Sequence, residues 1–100
     1  MDRTELARSN LKGADLAGKD LSLINLSGKD LSGAILTGAN LSCASLIGAD
    51  LTDSILDDAN LSEADLSRTV FRKARLIGTC LKGANLEESN LSLANLSRAD

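Results

Sequence analysis

The stretch Ala34–Leu51, AILTGANLSCASLIGADL, returns a leucine at every fifth place: Leu36, Leu41, Leu46 and Leu51. No ordinary secondary structure has that period. On an α-helix five residues advance about 500°, which scatters the leucines around the axis. On a flat strand five is odd, so successive leucines alternate between faces. They reach one common side only if the chain turns a corner after every leucine.

The same spacing runs outward through the whole chain. From Leu6 to Leu96 nineteen positions lie on the grid; eighteen are Leu and the other is Phe71. Met1 would extend it. Two residues before each centre the side chain is small, Ala in eleven cases when Ala99 is counted with them, with Lys19, Ile24 and Lys29 as outliers. One before the centre Asp or Asn dominates, as in Asn40, Asp50 and Asn60. Two after it stand all eight glycines. In an extended segment the small residue and the leucine point the same way, so both face inward and the Asp or Asn between them faces out. Gly suits a corner that needs positive φ. The chain has no Pro, so every residue keeps an N–H to donate.

One five-residue segment cannot bury its own leucine, but stacked coils can. Four corners close a square. One coil then takes twenty residues, and the hundred residues make about five coils of an all-β solenoid. Lys19 and Lys29 occupy inward slots, and their stems are expected to reach solvent near the end of the stack.

Segments such as Ala39-Asn40-Leu41-Ser42, Ala64-Asp65-Leu66-Ser67 and Ala94-Asn95-Leu96-Ser97 follow A(D/N)LXX residue by residue. From Thr4 to Asp100 the chain resembles the pentapeptide-repeat family. The resemblance implies a right-handed quadrilateral parallel β-helix, in which Phe71 is an accepted centre stacked between Leu51 and Leu91. Thr4-Glu5-Leu6 reads as a repeat, so no capping helix is expected before the stack. The expectation is one solenoid domain over residues 1–100 without caps of its own. Such ends expose core and strand edges, and an end-to-end homo-oligomer is one way to cover them.

The chemistry is sparse. The chain has no His, Trp or Tyr, which removes the commonest general base and transition-metal ligand. Gly13–Lys19 matches GxxxxGK, but Asp20 stands where a P-loop needs Ser or Thr, and glycines five apart produce the match automatically. Ser9-Asn10-Leu11-Lys12 matches S-x-x-K without the helix that motif needs. The Asn-Leu-Ser triplets, formally glycosylation acceptors, follow from the repeat. The nine-residue calcium repeat of other β-helices is absent. Carboxylate pairs such as Asp57-Asp58 have no cleft to tune them. These features predict no enzyme, no cofactor and no metal site.

A net charge of −3 argues against direct nucleic-acid binding through a basic surface. No apolar run is long enough for a membrane span. Cys43 and Cys80 occupy different places in the repeat and read as free thiols of a reducing compartment, with a cytoplasmic location as the default.

Function is therefore expected on the outside. Asp50–Asp65 holds six acids and no base, and Leu66–Lys82 five bases and no acid. Ile35 and Ile55 break the Asp/Asn rule twenty residues apart, so they should stack outward on one face. Ile35, Ile55, Asp53, Asp57, Asp58, Arg72, Lys73 and Arg75 are the candidate partner contacts of a non-enzymatic interaction scaffold. The resemblance implies an alternative: some members of that family mimic duplex DNA, bind DNA gyrase or another topoisomerase, and protect it from inhibitors. The short acidic block, interrupted by Arg72, Lys73 and Arg75, fits that alternative poorly.

Overall fold

A computed structural model describes residues 2–100; Met1, which would extend the leucine grid, lies outside them. The chain begins with a helix, α1, over Arg3–Arg8. Asp2 caps it by accepting the Glu5 N–H at 2.9 Å, and Arg8 stands in its last turn. This corrects the reading of Thr4-Glu5-Leu6 as a repeat. The spacing of Leu6 is right, but a carboxylate three residues before Glu5 is a helix-start signal that outweighs it. Leu6 is buried and joins the core at the start of the stack. Arg3 donates to the Ser22 carbonyl of the first coil. Regular repeats then run from Leu11 to Asp100, after α1 has taken up the start.

The stack is built from parallel bridges between residues twenty apart, from Asp15↔Ile35 through Arg75↔Asn95. Corners recur every five residues, so each coil has four sides. The first face carries Asp15, Ile35, Ile55, Arg75 and Asn95; the second Asp20, Asn40, Asn60, Cys80 and Asp100; the third Asn25, Ser45, Asp65 and Asn85; the fourth Asp30, Asp50, Val70 and Asn90.

The repeat of residues 41–45 shows why these residue types recur, because each of its five backbone donors is accounted for. Leu41 N–H donates to the Asn60 carbonyl above at 2.7 Å, and Cys43 N–H to that of Ser62 at 2.9 Å. Ser45 N–H donates to the Ile24 carbonyl below at 2.9 Å. Ala44 N–H closes the corner on the Leu41 carbonyl at 3.0 Å. The fifth donor, Ser42 N–H, goes to Asn40 Oδ1 at 3.0 Å. That last bond explains the Asp/Asn slot: the side chain accepts the one amide that the coil-to-coil ladder leaves over, as in an Asx turn. Asp20 and Asp30 use the same geometry. The hydroxyl and then the amide of Ser22 hold the Asp20 carboxyl below its usual value, with Arg3 adding to the effect. Ser32 does the same for Asp30, helped by Lys12.

The third residue of each corner has positive φ. Eight of these are glycines and ten carry side chains, among them Leu23, Cys43, Asp53 and Lys73. The sequence signal for Gly is thus a preference, worth roughly 1 kcal/mol per corner, and not a requirement.

Inside, the centres from Leu11 to Leu76 are buried, and Phe71 is fully enclosed. Inward Thr69 and Thr79 donate their hydroxyls to the Leu46 and Leu56 carbonyls, each at 2.7 Å, so neither is left unsatisfied. Ile24 joins the core, Lys29 is half-buried and Lys19 is exposed. Towards Asp100 the enclosure loosens, and Leu96 is 39% exposed.

Candidate interaction face

The twenty-residue register gathers all eight candidate contacts on the first face and its two corners. Ile35, Ile55 and Arg75 follow one another up the face. Asp53, Arg72 and Lys73 lie on the preceding corner, where Asp53 N–H donates to the Arg72 carbonyl at 3.0 Å. Asp57 and Asp58 lie on the following corner, where Asp58 N–H donates to Ile77 at 2.9 Å. The same register adds two residues that single-position reading passed over: Asp15 below Ile35, and Thr37 on the corner below Asp57.

The capping rule breaks here twice in one column; it breaks once on each other face, at Ser45, Val70 and Cys80, where the Ile47, Arg72 and Lys82 amides likewise find no internal partner among the described residues. Asp15 and Asn95 cap Ala17 and Ser97 in the ordinary way, at 3.1 and 3.0 Å. Ile35 and Ile55 have no acceptor, and the Thr37 and Asp57 amides find no internal partner among the described residues. Arg75 cannot cap either, and Asp57 replaces it. One oxygen of its carboxylate accepts the Ile77 N–H at 3.2 Å; the other accepts from Arg75 Nη2 at 2.8 Å. Asp57 is largely shielded and Arg75 half exposed, so the ion pair itself contributes modestly. Ile35 is 36% exposed and Ile55 half-buried.

Only part of the acidic and basic blocks pair internally. Besides Asp57–Arg75, Lys82 reaches Asp100 at 3.3 Å. No other ion pair involves these blocks among the described residues. The remaining outward apolar residues do not form one stripe. Leu23 (76% exposed) and Leu93 (72% exposed) stand on different corners, while Ile47, Val70 and Ile77 are half-buried. Cys43 and Cys80 are unpaired. Among the described residues there is no cavity, no group of His, Cys, Asp or Glu able to hold a metal, and no helix long and apolar enough to cross a membrane.

Comparison with known proteins agrees with this architecture. The family model for pentapeptide repeats matches in eight copies, over residues 4–42, 20–53, 54–92 and 81–100. A pentapeptide repeat protein of the Arabidopsis thaliana thylakoid lumen is similar at 31% identity and TM-score 0.55, over 100% of this chain and 70% of that one. A pentapeptide repeat protein from Nostoc PCC 7120 is similar at 32% identity and TM-score 0.64, over 92% of this chain and 70% of that one. Full-length QnrB1, a plasmid-mediated fluoroquinolone resistance protein, shares the fold at 19% identity and TM-score 0.52, over 87% of this chain and 67% of that one. No curated protein sequence matched. The repeat motif, the twenty-residue bridge register and the family match agree: this chain is a repeat β-helix and belongs to the pentapeptide-repeat family.

Proposed function

We propose that the chain is a non-enzymatic scaffold that binds a protein partner through its first face. The fold reading behind it is a single right-handed quadrilateral β-helix domain over residues 1–100, with working residues only on the outside. The observation that carries the proposal is the double cost accepted twice in one column, at Ile35 and Ile55, where Val70 is the single such break on the other faces among the described residues. Each leaves an apolar side chain at the surface and a backbone amide without its cap. Asn at either position would supply the cap and expose no apolar side chain at little net change in stability, so the isolated fold gains nothing from these isoleucines that Asn would not give it. Asp53, Asp57, Asp58, Arg72, Lys73 and Arg75 would supply the polar rim. Two unpaired thiols suit a cytoplasmic location.

The test is affinity capture with the wild type and with Ile35→Ser/Ile55→Ser, followed by mass spectrometry. The expected result is a specific partner whose recovery drops at least about tenfold with the variant, the size of effect typical of losing buried anchors. Equal recovery would remove the first face from the reading. The DNA-mimic alternative is separated by a gyrase supercoiling assay. Mimicry needs acid along most faces, and here Arg72, Lys73 and Arg75 interrupt it, so no effect is expected at micromolar protein.

A further inference from the structure

The first face reads, along the stack, acid, Ile, Ile, base: Asp15, Ile35, Ile55, Arg75. That order is its own complement when reversed. We infer that the first face pairs with the first face of a second copy, the two stacks antiparallel and the two-fold axis midway between the rungs of Ile35 and Ile55. The inference rests on the contact-face reading and names the occupant.

Reversal about that axis brings Asp15 opposite the partner's Arg75, and Ile35 opposite the partner's Ile55, twice over by symmetry. The following corner also matches. Thr37, with its uncapped amide and its hydroxyl, comes opposite the partner's Asp57, a carboxylate already shown to accept a neighbouring backbone amide. Ala17 comes opposite the partner's Ile77. Arg75 uses Nη2 on Asp57 and is 56% exposed, so its other guanidinium donors are free to reach across. Like charges meet only on the preceding corner, where Lys12 comes opposite Arg72 and Lys73; all three are exposed. The parallel arrangement is excluded by charge, because it sets Asp15 against Asp15 and Arg75 against Arg75.

No other face has this property. The second runs Asp20, Asn40, Asn60, Cys80, Asp100, and the fourth begins with two acids, Asp30 and Asp50. The third has one charge, Asp65, with nothing opposite. Area is sufficient. The molecule exposes 4974 Å², and one of four sides with its corners contributes roughly 1,000 Å², against the roughly 800 Å² per partner of a standard interface.

Sedimentation equilibrium across a concentration series tests this, with circular dichroism confirming that each variant folds. The wild type is expected to show a monomer–dimer equilibrium. Asp15→Arg and Arg75→Asp should each weaken it at least about tenfold, while the double variant, which restores opposite charges in the reversed register, recovers most of that loss. If Arg75→Asp fails to fold because it faces Asp57, the pair Asp15→Asn and Arg75→Gln serves: each should weaken the dimer. A wild type monomeric at every concentration overturns the inference, as does a dimer indifferent to all single substitutions or a double reversal as weak as its singles. A monomer that still captures a protein through Ile35 and Ile55 refutes self-pairing and leaves the contact face standing; loss of both refutes both.

Discussion

Replacing Ile35 by Asn tests the capping rule and the functional claim together. Ile35 is 36% exposed, so about two-thirds of its surface is covered. Full burial of Ile contributes about 1.5–3 kcal/mol, so Ile35→Ala should cost roughly 1–1.5 kcal/mol, the remaining methyl keeping part of the contact. Ile35→Asn loses the same apolar area. It also places an amide oxygen where Asn40 Oδ1 sits one side further round the coil, 3.0 Å from the amide it caps. The Thr37 N–H, without an internal partner in the wild type, then gains one. A hydrogen bond of this kind contributes about 0.5–1.5 kcal/mol, so Asn should be more stable than Ala by about 1 kcal/mol and close to the wild type. Urea unfolding with matched m-values measures the difference. If the two variants lie within about 0.3 kcal/mol of each other, the cap contributes nothing and the double cost attributed to Ile35 and Ile55 loses its basis.

Three further outcomes follow from the packing and the charges. Leu46→Ala, at a fully enclosed centre, should cost about 2–5 kcal/mol, because the narrow stack has little room to collapse around the void; thermal melting checks it. Asp57→Ala should cost about 1–2 kcal/mol by removing the Ile77 cap and the Arg75 pair, whereas Asp57→Asn keeps an acceptor and should cost less than half of that. Asp20 and Asp30 titrate below their usual value in the folded state, so their stabilisation is present above the ordinary carboxylate range and is lost as pH falls through it. The Tm should therefore drop as pH falls below the ordinary carboxylate range, and Asp20→Asn/Asp30→Asn should flatten that slope; an unchanged slope would assign acid sensitivity to other carboxylates.

Much of the architecture was legible in the sequence because a five-residue period has a single geometric solution. The inward leucines, the outward Asp and Asn and the Gly corners all stand where spacing put them. Three things were not. The helix over Arg3–Arg8 was hidden because Leu6 satisfies the grid and the helix at once; Asp2 and Glu5 carried the competing signal. The purpose of Asn40 and its equivalents was invisible, because an outward side chain says nothing of the amide it serves until the ladder bonds are placed. The bond from Asp57 to Ile77 spans twenty residues and belongs to no local pattern. The first face itself was half legible: Ile35 and Ile55 share a column by arithmetic, but Asp15 enters only when the whole column is read together.

The ten side-chain-bearing corners have a wider meaning. Each is an L-residue held in a conformation that Gly adopts more easily, yet the coil closes around it unchanged, from Leu23 to Arg98. Such a corner can exchange a thiol for a carboxylate or a guanidinium without disturbing the leucines behind it. The fold therefore behaves as a pegboard with fixed pitch, on which new chemistry can be mounted at chosen heights while the frame stays constant.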